Sequence, residues 1–181
     1  MPNALEIVSS RTESLSESQR ASIIELCIVA HGNDDFRNLF TYVPAGGRHF
    51  LAHHAGLLVA HAMVTTRWLQ PEGHPILKTA YVDAVSTLPN VQGEGFGSVL
   101  MRHLADEIAT TYAVACLETD KPGFYARLGW QLWRGPLAGR GEHGLIPTPQ
   151  QRGVMVLRLP AKPALDFDAA LSIECQPGRI W

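Results

Sequence analysis

The sequence predicts an α/β protein of the mixed α+β kind, with one mixed sheet and helices on both faces. Three observations predict it. The chain has 181 residues, which suits one domain, since domains average about 100–200 residues. Its apolar fraction of 46% is ordinary for a globular core. Its periodicities read in the order β-α-α-β-β-β-α-β-α-β-β. That order mixes hairpins, which pair antiparallel, with helical crossovers, which pair parallel.

Residues 4–9 alternate as a short strand. "SLSESQRASIIELCIVAHG" then predicts a helix: Ser16 or Ser18 is placed to cap it, Ile23, Ile24, Cys27 and Ile28 recur on one side, and Gly32 follows the last turn. Residues 33–41 open with acids and predict a second short helix. Gly46-Gly47 marks a turn. "RHFLAHH" and "GLLVAHAMVTTRWL", hinged at Ala55-Gly56, form a predicted β-hairpin. "QPEGHP" is a loop, and "ILKTAYVDAVST" is a strand buried on both faces. A helix is expected from about 95 to 111, with Val99, Leu100, Leu104 and Ile108 on one stripe. "AVACLET" is a strand, "PGFYARLG" a short helix ended by Gly129, and "WQLW" and "GVMVLRLP" are strands on either side of a Gly/Pro-rich loop at 135–149. "LSIEC" alternates as a last strand before the tail.

Lys and Arg number 15 against 17 Asp and Glu, a net charge of −2. No basic excess exists to drive nucleic-acid binding. The 3 cysteines, Cys27, Cys116 and Cys175, are odd in number and form no CxxC, so reduced thiols in or near the core are expected. The first twenty residues carry no long apolar stretch behind a basic start, and no apolar run approaches the ~18 residues of a membrane span. A cytoplasmic protein with no membrane contact is the expectation. His53 and His54 are adjacent on a strand and point to opposite faces, so they cannot share a metal ion. With His61 on the same hairpin, His31, His74 and His143 in expected loops and no HExxH, no metal site is assigned and the histidines read as structural.

The informative stretch is "YVDAVSTLPNVQGEGFGSVLMRHL". A buried strand enters a turn carrying Gln92, Gly93, Gly95 and Gly97, and a helix follows. Such a turn presents backbone N–H groups and a helix N-terminus to an anion. The glycines let the main chain approach it closely. The spacing lacks the third glycine of a dinucleotide fingerprint, and no G-K-[ST] follows as in a nucleotide P-loop. A plain turn is the alternative.

Strand, then the turn Gln92-Gly93-Glu94-Gly95-Phe96-Gly97, then helix resembles the acetyl-coenzyme A motif of the GNAT superfamily of N-acetyltransferases. "GFYARLGW" at 123–130 resembles that superfamily's later motif, so the likeness runs over about residues 80–133. It implies a mostly antiparallel twisted sheet that splays between its middle strands. A narrower resemblance, to aminoglycoside 2'-N-acetyltransferases, is carried by "HHAGLLVAHAMV" (53–64), "YVDAVS" (81–86), "GWQLWRGP" (129–136), "PTP" (147–149) and the ending "GRIW". It implies a single domain over residues 1–181 whose tail folds back onto the substrate pocket.

The resemblance implies roles. Amides of Val85, Ser86 and Thr87 would bind the acetyl and pantetheine groups. Gln92, Gly93, Glu94, Gly95, Phe96 and Gly97 would take the pyrophosphate. The Val85 amide would stabilise charge on the thioester oxygen. Tyr125 matches the tyrosine that protonates the departing thiolate, with helix–sheet packing as the other reading. Asp83 stands where the group carries Glu, and Glu118 ends the next strand; either could be the base or a cation anchor. Family members are often dimers.

Departures from the group bear on the substrate, a small-molecule aminoglycoside. Asp35, on the second short helix, keeps an acidic position. Phe40 and Gln151 replace carboxylates, and Arg179 stands where an acid is expected. Trp181 would wall the pocket. Less negative charge and one added cation suit a smaller aminoglycoside that itself bears a carboxylate, and kasugamycin has that pattern. Gentamicin- or tobramycin-type acetylation is the nearest alternative. A GNAT enzyme for a protein N-terminus or small metabolite, and a non-catalytic acyl-coenzyme A sensor, are further ones.

Overall fold

Ser16 starts the first helix by accepting from Gln19 N–H at 3.2 Å, while the Gln19 side chain accepts from Ser16 N–H at 2.9 Å. This reciprocal capping satisfies two donors that the first turn would leave unpaired. The helix, α1 (Glu17–His31), ends at Gly32 with φ +68°, a conformation glycine adopts without strain. These elements belong to a computed structural model that describes residues 4–160 and 164–181. No described helix is long and apolar enough to cross a membrane.

The chain divides into two compact units, 4–65 with 82–106, and 66–81 with 107–160 and 164–181. In the first, β1 (Glu6–Arg11) pairs antiparallel with β2 (Arg48–His54), and β2 with the front of β3 (Leu57–Pro71). The β2–β3 turn is Ala55-Gly56, both at positive φ (52° and 77°), as the hairpin reading required. The back of β4 (Leu77–Thr87) completes this sheet beside β3. One face carries Leu51 and Met63, packed with Ile23 and Cys27 of α1. The other carries Phe50, whose ring meets His103 of α3 (Phe96–Ile108) at 6.3 Å. Adjacent strand residues face opposite ways, so this sheet has a helix on each side.

In the second unit the strand order is β6-β9-β5-β4-β3-β10-β7-β8. Its members are the front of β4, the back of β3, β5 (Val114–Glu118), β6 (Gln131–Leu132), β7 (Leu137–Gly141), β8 (Gly144–Pro147), β9 (Val154–Arg158) and β10 (Leu171–Glu174). Among the described residues, β4–β5 and β10–β7 pair parallel. The β4–β5 ladder ends at Tyr81↔Cys116, where β4 leaves this unit. The core gathers Tyr81, Cys116, Trp133, Val156, Phe167, Ile173 and Trp181. The short helix α4 is Pro122–Ala126, and Gly129 follows it at φ +89°.

Three expectations are corrected. The helix expected at 33–41 is only α2, Leu39–Tyr42. Before it, Asn33 Oδ1 takes the Asp35 N–H at 3.0 Å, and that local bond competes with helix. The 135–149 segment is the β7–β8 hairpin rather than a loop. Val99 is 45% exposed and lies off the α3 stripe, which Met101 joins at 1% exposure.

Candidate functional site

In the first unit, β4 bends at Ala84, a non-glycine residue at φ +50°. Side chains take both its main-chain groups. Asp83 Oδ1 accepts its N–H at 2.9 Å, and its carbonyl accepts from Ser86 Oγ at 3.4 Å and lies 3.0 Å from His61 Nδ1. Ser86 Oγ also meets His31 Nε2 at 3.2 Å, so His31 serves α1 and is not the loop residue expected. Val85 and Thr87 are half-buried, and Ser86 is buried. The Gln92 amide donates to Thr87 O at 3.0 Å, linking the strand end to the turn.

That turn holds Gly93 at φ +89° and Gly95 at φ +92°. A Cβ at either would meet no protein atom within 4 Å, so both open onto free space. The first-turn N–H groups of α3 follow directly, unpaired within the helix. Phe96 packs against His54, the rings tilted 36° with centroids 5.0 Å apart, and His54 Nδ1 is buried with no hydrogen-bond partner among the described residues. A glycine cradle at a helix N-terminus, with a spare polar atom beside it, fits the pyrophosphate of coenzyme A.

In the second unit, Glu118 is exposed at the end of β5, and a cavity of about 640 Å³ opens beside it. Thr119, Asp120, Thr148, Gln150, Gln151 and Arg152 also line it. Gly153 permits this arrangement. Its φ is +74°, and a Cβ there would stand 2.0 Å from Thr119 O. Trp181 is 5% exposed, and its Nε1 donates to Thr148 Oγ1 at 3.0 Å. Arg179 Nε donates to Trp181 O at 2.5 Å, and its guanidinium lies 4.9 Å over the Tyr81 ring. Arg67, 1% exposed, donates to Glu174 Oε1 at 3.1 Å and Ile180 O at 2.7 Å, anchoring the same tail. Tyr125 is 8% exposed, with Phe124 and Trp130 rings at 4.9 and 6.0 Å.

The structure thus brings Asp83, Val85–Thr87 and Gln92–Gly97 onto one strand–turn–helix of the first unit. In that unit Asp35 is exposed in the turn before α2, not on a helix, and Phe40 packs against the Arg20 guanidinium at 4.7 Å. Glu118 and Gln151 share the cavity of the second unit, which Trp181 reaches through Thr148. Burial raises the Cys27 thiol to about 11 and the Cys116 thiol to about 12, so neither is a nucleophile at neutral pH. All three cysteines are free. The sequence reading passed over His49, which meets His61 in the core. The sequence held no signal for it: a regular hairpin turning at Ala55-Gly56 sets the two on opposite faces, and the register shift between Ala52 and His53 brings them onto one.

Residues 12–133 match the model of the acetyltransferase (GNAT) domain family. The chain is 30% identical over 176 residues to an aminoglycoside 2'-N-acetyltransferase of Mycolicibacterium fortuitum, covering 94% of this chain and 89% of that one. Two of the solved structures that share the fold illustrate the likeness. One is the GNAT family N-acetyltransferase YhbS of Escherichia coli in complex with CoA: TM-score 0.62, 14% identity, 96% of this chain and 91% of that one. The other is Eis1 of Mycobacterium abscessus: TM-score 0.61, 20% identity, 75% of this chain but only 32% of that longer one.

Proposed function

This chain belongs to the GNAT acetyltransferase family, and from that footing we propose that it acetylates the 2'-amine of an aminoglycoside, with kasugamycin the favoured substrate and antibiotic resistance the outcome. It is an acetyl-coenzyme A-dependent N-acetyltransferase. Acetyl-coenzyme A, when bound, supplies the thioester acetyl group and leaves as a thiol. The rest concerns what the chain's own residues do.

Gln92 to Gly97 hold the pyrophosphate with main-chain N–H groups, and Val85, Ser86 and Thr87 orient the pantetheine arm. The Val85 N–H donates to the thioester oxygen as negative charge grows there. Asp83 or Glu118 takes the proton from the amine, directly or through a water. Tyr125 gives a proton to the departing sulfur. The chain works as one domain, with its tail bordering the antibiotic.

The relative of Mycolicibacterium fortuitum, matched along nearly the whole chain, supports an aminoglycoside. The cavity beside Glu118 carries the finer reading. Its charged lining is Glu118, Asp120 and Arg152, and the rest is hydroxyl, amide and proline. Two carboxylates against one guanidinium make a weak grip for a polycation and a fair one for a sugar with few amines. Kasugamycin offers one 2'-amine, an inositol ring and a carboxy-amidine group. In the second unit Gln151 would hold its polar groups, Trp181 would supply an apolar wall and Arg179 would face the carboxylate; Asp35 and Phe40 are the first unit's candidate substrate residues. Thiol release from acetyl-coenzyme A, measured over a panel of kasugamycin, tobramycin, gentamicin and a peptide N-terminus, tests the reading. Kasugamycin should be turned over fastest; a preference for the peptide would overturn it.

A further inference from the structure

A line of buried polar groups crosses the first unit, and acetyl transfer as described does not use it. Thr12 is 7% exposed, and His49 and His61 are fully buried. Thr12 Oγ1 lies 3.0 Å from His49 Nε2, His49 Nδ1 lies 3.0 Å from His61 Nε2, and His61 Nδ1 lies 3.0 Å from Ala84 O. The two rings stack at 5.3 Å.

Counting protons gives the line one direction. A carbonyl only accepts, so His61 Nδ1 carries a hydrogen and donates to Ala84 O. Burial pushes His61 down to about 3, so it is neutral at physiological pH and its Nε2 is bare. That nitrogen accepts from the Nδ1–H of His49. Burial holds His49 near 4, so its Nε2 is bare too and accepts from the Thr12 hydroxyl, whose hydrogen it shares with Gly47 O. Gly47 O, the hydroxyl's other acceptor at 3.1 Å, also accepts the Thr12 N–H at 2.8 Å. The reverse order would set two lone pairs against each other at Ala84.

We propose that His61, oriented by His49 and Thr12, is a positioning residue that fixes the Ala84–Val85 peptide so that the Val85 N–H faces the acetyl thioester. The C=O and N–H of one trans peptide point in opposite directions, and no described peptide bond is cis. Pinning Ala84 O to His61 therefore sends the Val85 N–H the other way. Ala84 needs such a clamp, because a residue with a Cβ at φ +50° holds that conformation only when its surroundings over-determine it. Asp83 secures its N–H, and His61 and Ser86 converge on its C=O, with Cys27 Sγ at 4.0 Å. The proposal rests on the assignment of Val85 as the donor to the thioester oxygen.

The test compares His61→Leu with His61→Asn, whose amide nitrogen can stand where Nδ1 stood. The donor is acetyl-coenzyme A, and the acceptor is whichever amine of the panel the unmodified enzyme acetylates fastest. A wrong aminoglycoside assignment therefore leaves the comparison intact. His61→Leu should lower kcat by at least about tenfold, with KM and the calorimetric Kd for acetyl-coenzyme A within about twofold. His61→Asn should restore most of kcat. Unchanged kcat in His61→Leu, or an equal loss in both variants, would overturn the proposal. Imidazole ¹⁵N shifts of the unmodified protein decide the matter if His61→Leu does not fold. Protonated Nδ1 and bare Nε2 at His61 are expected, and the opposite tautomer would overturn it.

Discussion

The indole Nε1 of Trp181 donates to Thr148 Oγ1 at 3.0 Å, tying the end of the tail to the loop that lines the Glu118 cavity. The indole is otherwise sunk in the second core, so this bond satisfies its one polar atom. Thr148→Val removes the acceptor and should cost about 1–3 kcal/mol, the penalty for a buried donor left unpaired. Urea unfolding measures that cost. The amine KM should rise while the acetyl-coenzyme A KM stays level, because Thr148 lines the cavity and not the glycine turn. Wild-type stability in this variant would detach the tail from the loop.

Gly95 sits at φ +92° with open space where a side chain would project. Gly95→Val strains that conformation and fills the approach of the pyrophosphate. The coenzyme A Kd should rise at least tenfold, about 1.4 kcal/mol, with circular dichroism unchanged. Unaltered calorimetric affinity in a folded variant removes this turn from the cofactor site.

Asp83, Glu118 and Tyr125 carry the proposed proton transfers, and such groups contribute about 10²–10⁴-fold. Tyr125→Phe should lower kcat with little change in acetyl-coenzyme A binding. Either Asp83→Asn or Glu118→Gln should abolish the rise of rate with pH that reports a base. Wild-type turnover in all three would leave positioning alone to account for catalysis.

Stability should fall on acidification through the histidine pair. Burial is the main cause that lowers both, His49 to about 4 and His61 to about 3. Unfolded histidine takes up its proton near 6.5. Below that pH the unfolded chain holds more protons than the native one, so stability drops as pH falls toward about 4. Each histidine contributes up to about 1.4 kcal/mol per pH unit across that window, and neither changes stability above about pH 7.5. His61→Asn should lose less of its urea midpoint between about pH 6.5 and 4.5 than the parent does. Equal slopes would contradict the buried neutral pair.

Local signals were legible in the sequence where one segment determines its own conformation. Ser16 or Ser18 before the apolar stripe and Gly32 after it delimited α1, and Ala55-Gly56 located the hairpin. The glycine turn before α3 was readable for the same reason. The β7–β8 hairpin was not, because its glycine serves packing between distant segments. A Cβ at Gly139 would stand 2.6 Å from Cys175 Sγ and 2.9 Å from Ile180, a contact set by β10 and the tail. The acids at Asp34 and Asp35 suggested a helix start, whereas the Asn33 side chain closes a turn there. The His49–His61 contact depends on the β2–β3 register, in which Leu51 faces His61 and His49 faces Met63. Trp181 and Thr148, 33 positions apart, meet only through tertiary packing.

The central claim is best tested by kcat/KM for kasugamycin and tobramycin side by side, with the acetylated position located by NMR, in the unmodified enzyme and in Arg179→Ala. A bidentate charge-assisted contact is worth about 1.5–3 kcal/mol, so its loss costs roughly 10–150-fold. The account predicts that kasugamycin is the better substrate and is acetylated on its 2'-amine. It also predicts that Arg179→Ala raises the kasugamycin KM in that range and leaves tobramycin, which has no carboxylate, level or improved. Preference for tobramycin, or kasugamycin turnover that Arg179→Ala leaves untouched, would contradict it.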